Sequence, residues 1–334
     1  MTAQIIQKLP IITALILFLW SAPAQSEAAS GKIHPPSEII KIMESSTLVY
    51  EIGELAAPVQ KERAKGLLSN MLYIEKKDGK DVLKQYSLSE EAKKVLDSAE
   101  KAFQAKKFAE ALKLYKEVLL LQPGFSYGYT LMGDVYYSTG DYKEAKAVFE
   151  RAIKNNYIDY HAHWFLADTL WALGEKDKAV TEITIAHLLN VNHAEMLKVL
   201  KSYRKEVKKA WQEWEFNPQY SINKTGDKVS LKVKEEWLGY GLVKALWKYE
   251  PGYAEKTFGP DYKDQVVCFL EEKEALASLL AGKGDFKNIE KIVKDGFVNE
   301  MLLYELAAPK ALQILPLLPR DSFLRVVEYV GKYH

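Results

Sequence analysis

The sequence predicts a mostly helical protein built around an array of stacked helical hairpins. Three observations predict it. Small residues recur every 34 positions in fixed phase: Ala99, Gly133 and Ala167, then Ala111, Ala145 and Ala179, then Val118, Ala152 and Ala186. A fixed period of this length marks repeats that stack on one another. Large residues surround the small ones at helical spacing, as in Tyr129-x-x-Met132-Gly133-x-x-Tyr136. The composition is that of a globular chain, 48% hydrophobic and 27% charged over 334 residues, with room for roughly two or three domains.

From the N-terminus, Lys8 is followed by Ile11–Trp20, apolar apart from Thr13, and then by Ser21-Ala22-Pro23-Ala24. The apolar run has about 10–12 residues, whereas spanning a bilayer takes ~20. Residues 1–24 therefore read as a bacterial export signal cleaved after Ala24, which places the mature chain in the periplasm or outside the cell. Residues 25–36 read as a flexible leader. Residues 37–88 read as a small α/β module. Ser37 is a candidate cap for a helix through Ile39, Ile40 and Met43. Leu48, Tyr50 and Ile52 alternate as in a strand, and Asp78-Gly79 lies between two short apolar runs, a hairpin signal.

The repeats occupy 89–193. Residues 194–216 then read as one long capping helix, with Met196, Leu200, Tyr203, Val207, Trp211 and Trp214 along one face. Residues 217–334 read as a mainly helical region. It contains one β-hairpin at Tyr220–Lys234 and breaks at Pro251-Gly252, Gly259-Pro260, Gly282–Gly284, Pro309, Pro316 and Pro319.

In the middle repeat Gly133 and Ala145 are placed where two helices cross, since only small side chains let backbones approach. Gly140 supplies the positive φ that ends the first helix. Tyr142 and Phe149 fill the gaps around the contact. The same phase gives His163, Leu166, Ala167, Gly174, Ala179, Ile183 and Ala186 in the third unit, and Phe108, Ala111, Tyr115, Val118 and Pro123 in the first. These residues resemble the tetratricopeptide repeat family. The pattern departs at Lys106 and Lys176, where the family has Gly and an aromatic. The resemblance implies a right-handed superhelix whose first helices line a concave groove for a protein or peptide partner.

A second stripe lies on a different face of the same helices. It comprises Tyr127, Thr130, Asp134 and Tyr137 in the middle unit, His161, Trp164, Asp168 and Trp171 in the third, and Glu100 and Phe103 in the first. Aromatics of this kind serve as binding anchors. The carboxylates favour an extended or helical peptide of apolar and basic character. The competing reading is that the stripe packs against the protein's own terminal modules.

Little points to chemistry. His161-x-His163 has the wrong spacing for two ligands on one helix face, so no metal site, cofactor or catalytic residue is assigned. The lone cysteine, Cys268, sits between apolar residues and reads as a buried thiol. The net charge is +1, which gives no general pull toward nucleic acid. Lys198, Lys201, Arg204, Lys205, Lys208 and Lys209 form a basic side that could meet lipid head groups, although a solvated face explains it fully. The expected function is a non-enzymatic interaction adaptor of the bacterial cell envelope. Two alternatives stand beside it: an enzyme with a catalytic C-terminal region, and a cell-wall glycan binder using Trp237, Tyr240, Trp247, Tyr249 and Tyr253.

Overall fold

A computed structural model of the chain describes residues 34–259, 265–282 and 284–334. The expected signal peptide, and the leader up to residue 33, lie outside the described residues. Along the chain, α1 (Pro36–Glu44) and β1 (Val49–Glu54) precede a hairpin of β2 (Leu72–Lys77) and β3 (Lys80–Gln85). The repeats follow as α2 (Glu90–Gln104), α3 (Phe108–Leu121), α4 (Tyr127–Ser138), α5 (Tyr142–Asn155), α6 (Tyr160–Ala172) and α7 (Lys176–Leu189). Then come α8 (Ala194–Glu206), a second hairpin of β4 (Tyr220–Thr225) and β5 (Lys228–Val233), α9 (Leu238–Tyr249), α10 (Tyr253–Thr257), α11 (Phe269–Leu280) and α12 (Lys287–Lys294). The last stretch is α13 (Val298–Met301), a π-helical turn (Leu302–Ala307), α14 (Ala308–Lys310) and α15 (Arg320–Tyr333).

The chain divides into two compact units, and neither matches an expected module. Among the described residues, one joins those from His34 to Lys61 with those within Asn217–Val298, and the other joins Glu62–Phe216 with Asn299–His334. The expected 37–88 module is split between them. Its strand β1 pairs in parallel with β5, Val49 opposite Lys228 and Glu54 opposite Val233. Local pattern carries no information about a partner strand so distant in sequence. The hairpin β2–β3 turns at Asp78 and Gly79, both at positive φ, as a two-residue loop requires. Ser37 does not cap α1: the helix starts at Pro36, the favoured residue for a first turn.

In the first unit the sheet order is β1-β5-β4. Val229, Leu231 and Val233 of β5 are buried together with Tyr240 and Trp247 of α9. Trp237 and Tyr253 are buried too, so four of the five aromatics considered for glycan binding are core. The acids of α11 are spent inside this unit. Tyr240 and Lys244 bond Glu272, and Trp247 Nε1 and Tyr253 Oη bond Glu274 at 2.6 and 2.8 Å. Cys268 is buried, and that burial pushes its thiol pKa up.

In the second unit each helix from α2 to α8 packs on the next. Ala99, Ala111, Ala145, Ala167 and Ala179 are fully buried, as are Val118, Ala152 and Ala186. A methyl group at Gly133 would fall on the ring of Phe149, itself fully buried. In the third repeat Ala167 stands at that register and Ile183 replaces the ring. The turns that follow α2, α4, α6 and α8 hold left-handed residues at the same period: Lys106 (φ 58°), Gly140 (81°), Gly174 (80°) and Lys208 (61°). The first repeat therefore keeps the turn of the others although lysine stands where they have glycine.

Lys208 also explains a correction. The expected capping helix 194–216 ends at Glu206, because the fourth turn in phase falls just beyond it. Trp211 and Trp214 leave the helix, and the indole of Trp214 stacks on His334 at 5.4 Å. The basic side of α8 is no open patch. Arg204 is buried and donates to the carbonyls of Lys209, Val330 and Gly331, while Lys198 and Lys201 pair with Glu195 and Glu213. Among the described residues no helix is long and apolar enough to cross a membrane.

Two stability predictions result. A non-glycine residue in the left-handed region costs roughly 1–2 kcal/mol, of which the unfolded-state entropy of glycine returns about half. Lys106→Gly should therefore stabilise the protein by about 0.5–1 kcal/mol, read as a higher denaturant midpoint at unchanged slope. Gly133→Ala gains about 1 kcal/mol of helix propensity but overpacks Phe149 at a cost of about 1–3 kcal/mol. The single variant should lose stability, and Gly133→Ala with Phe149→Ile should recover it. An equally stable Gly133→Ala variant would contradict the proposed contact.

Candidate functional site

The first helices of the repeats, α2, α4 and α6, each bury one face against their partner helix. The second stripe of side chains lies on another face, and the structure divides it into two parts. Near the helix starts it is closed. Tyr127 is 8% exposed and Thr130 is fully buried. Thr130 Oγ1 donates to Asp159 Oδ2 at 2.6 Å, and Asp159 also caps α6 by accepting from the Ala162 amide. Tyr127 Oη accepts from Asn70 Nδ2 at 2.8 Å and shares a hydrogen bond with His161 Nδ1 at 2.9 Å. Burial and the neighbouring His193 pull the His161 pKa down to about 4, which leaves the ring neutral near neutral pH. Thr130 and Tyr127 thus leave the set of accessible groove residues. For Tyr127 the cover is a segment of the protein's own chain, where Asn70 bonds its hydroxyl and Met71 packs beside it, and for Thr130 it is Asp159.

Toward the helix ends the stripe is half-exposed. Phe103, Asp134, Tyr137, Trp164, Asp168 and Trp171 are all partly open, as is Glu100. Trp171 stacks face to face on Tyr203 of α8 at 3.9 Å and 12°, and the Lys176 ammonium lies 4.6 Å from its ring centre. Trp164 meets His193 edge-on at 5.2 Å. Tyr203 Oη donates to Asp168 Oδ1 at 2.6 Å, and Tyr115 Oη donates to Glu100 Oε1 at 2.7 Å. Burial, the Asp168 hydrogen bond and that residue's charge hold the Tyr203 phenol well above its usual range.

Asp134, in the middle of the row, has no hydrogen bond or ion pair among the described residues. Burial first, and then the Glu100 charge, push its pKa up to about 6. Asp168 is raised by burial, with the Tyr203 hydroxyl acting against the shift. The row is therefore short of positive charge. Residue pattern did not reveal Tyr203 and Tyr115 as partners of the acids, since both read as packing residues.

His161 and His163 part company as their spacing requires. His163 is buried, with Nδ1 at 2.6 Å from Glu182 and Nε2 at 3.0 Å from the Tyr157 carbonyl. Among the described residues no group of three metal-ligating side chains converges. A shallow depression of about 270 Å³ lies between α5, α6 and α7, floored by Ile153, Leu166 and Leu170. Its rim residue Lys146 is already paired with Glu175.

Residues 130–183 match the tetratricopeptide repeat family model. Among curated proteins, subunit 3 of the anaphase-promoting complex of Schizosaccharomyces pombe is similar, 29% identical over 89 residues, or 27% of this chain. The chain spans only 13% of that relative's length. Among solved structures, the first tetratricopeptide domain of Spaghetti (RPAP3) bound to an HSP90 peptide aligns at 18% identity. It covers 36% of this chain and 99% of that one, with a TM-score of 0.35. The Yersinia enterocolitica type III secretion chaperone SycD, in complex with a peptide of the translocator YopD, aligns at 19% identity. It covers 36% and 94% of the two chains, with a TM-score of 0.34.

The raised pKa of Asp134 sets a pH dependence. The native state holds this proton more tightly than the unfolded chain, so ionising Asp134 costs stability. That cost appears as pH rises through the window from about 4 to about 6. Asp134→Asn should therefore be more stable than the parent near neutral pH and equal to it in acid below the window. Paired unfolding curves across the window check this, and a difference that does not vary with pH would contradict it.

Proposed function

We propose that this chain, whose hairpin array is built of tetratricopeptide repeats, is a non-enzymatic protein–protein interaction adaptor. A partner protein lays an extended or helical segment along the open part of the inner stripe. One observation carries the reading: half-exposed Phe103, Tyr137 and Trp171 share a stripe with an acid, Asp134, that has no counter-charge of its own. Aromatic anchors supply contact area at low entropic cost. The acid selects for a basic side chain, because a half-buried carboxylate is costly until it is paired. The partner sought is a protein segment with apolar and basic residues, not a nucleic acid.

The partner is met in the bacterial cell envelope on this reading. The support is the sequence itself, an apolar run at Ile11–Trp20 followed by Ala22-Pro23-Ala24.

The test is site-directed photocrosslinking of the full chain in its native envelope. A crosslinker replacing Tyr137 should capture a defined partner. One replacing Leu120, which is 81% exposed on α3, should not. Asp134→Asn and Trp171→Ala should each cut capture by at least about fivefold, the effect of losing a hot-spot contact, with helical content retained. Absence of a product at position 137, or the same products from both positions, would refute the reading.

A further inference from the structure

A segment without regular structure, Ala64–Asn70, runs along the edge of the hairpin array, and side chains at the helix ends hold it. Asn190 Nδ2 donates to the Leu68 carbonyl at 3.2 Å, and the Leu68 amide donates back to Asn190 Oδ1 at 3.2 Å. Asn156 Nδ2 donates to the Leu72 carbonyl at 2.8 Å, and Asn192 Nδ2 to the Ala64 carbonyl at 2.7 Å. Gln122 Oε1 accepts from the Ser89 amide at 3.4 Å. Gln122, Asn156 and Asn190 are themselves 34 residues apart, each just past the end of the second helix of its repeat. They form a ladder of primary amides at the repeat spacing, and every rung is bonded to main chain.

Three features separate this segment from the core beneath it. No side chain from Glu62 to Ile74 is buried, and Leu67 is 54% exposed. Its apolar anchorage is confined to one end, where Met71 packs on Val118, Phe125 and Tyr127. The rungs engage backbone atoms, so they do not depend on the segment's side chains. Asn70 is different: its amide reaches Tyr127 and so closes the first part of the inner stripe.

We propose that Asn156, Asn190 and Asn192 form a binding site for extended main chain, that Ala64–Leu72 is its built-in occupant, and that an extended segment of a partner replaces it. The exchange would hand these three amides to the partner and uncover Tyr127 and His161. The inference rests on the adaptor reading, which supplies the partner. It goes beyond that reading by assigning a second strip of contacts and the segment that guards it. The rungs conserve hydrogen bonds through the exchange, one main chain for another, so its cost is confined to reordering the strap.

Hydrogen exchange on the full chain tests the guard. The Leu68 amide should exchange through a local opening, far faster than the amides of α4 and α6. Asn190→Ala should speed it by a further order of magnitude, about tenfold for two lost hydrogen bonds, and leave α4 and α6 unchanged. A second full-length variant carries a Gly/Ser linker in place of residues 64–72. A fluorescent synthetic peptide of residues 62–74 should bind this variant in trans, and adding Asn156→Ala and Asn190→Ala should abolish that binding. Three results would overturn the proposal: strap amides that exchange only in step with α4 and α6, a linker variant that fails to fold, or a folded linker variant that does not take the peptide. A fixed strap in a protein that still captures a partner at Tyr137 removes this inference alone. A mobile strap in a protein with no capture at Tyr137 removes the adaptor reading.

Discussion

The close approach of two helices within each repeat is the constraint on which the rest depends. Buried alanines and Gly133 hold the pair together, and a methyl group at Gly133 has no space beside Phe149. Interiors packed at this density respond to single methylenes. Once the pair is fixed, the face of α4 or α6 not used for packing is fixed too. The stripe from Phe103 to Trp171 is therefore a consequence of how the hairpins nest. The same holds for the ladder at Gln122, Asn156 and Asn190, whose spacing is that of the repeat.

The protein spends half of that stripe on itself. Near the helix starts, Tyr127, His161 and Asn70 satisfy one another, and Thr130 is sealed against Asp159. Near the helix ends, Tyr115 and Tyr203 satisfy Glu100 and Asp168, but Asp134 between them is left with a raised pKa and no bond. A row of acids in which the outer members are hydrogen-bonded and the middle one is not concentrates the demand for positive charge at a single place. Half-open aromatics share its stripe. Of the two readings of the stripe weighed from the sequence, the self-packed surface describes the helix starts, and the half-open end is the part proposed to receive a partner.

Much of the repeat region was legible in the sequence because its contacts are local. Helix pairs, loops and small-residue crossings all fall within one period, so a 34-residue rhythm exposes them. The left-handed turns were legible at Gly140 and Gly174 but not at Lys106 and Lys208, where lysine accepts a conformation it does not advertise. Phase marked Lys106 as standing at the glycine position of the repeat, whereas Lys208 fell inside the helix expected over 194–216. The distant pairings were illegible. Nothing in Val49–Glu54 names Lys228–Val233 as its partner, and nothing in the basic run of α8 shows that Arg204 turns inward to carbonyls of α15. The strap was illegible for a related reason: it is held through its backbone, and backbone contacts leave no pattern in side chains. Its receptors did leave one, since Asn156 and Asn190 share the repeat spacing.

Hydroxyl-radical footprinting of the full chain, free and with an extract of the cells that make it, tests the central claim most directly. In the free protein Phe103, Tyr137 and Trp171 should oxidise readily, while the buried Phe149 and Tyr115 should not. With the extract the first three should become protected together, with Leu120 still reactive. Protection of Phe103, Tyr137 and Trp171 in the free chain, or reactivity unchanged by the extract, would contradict an open stripe that receives a partner.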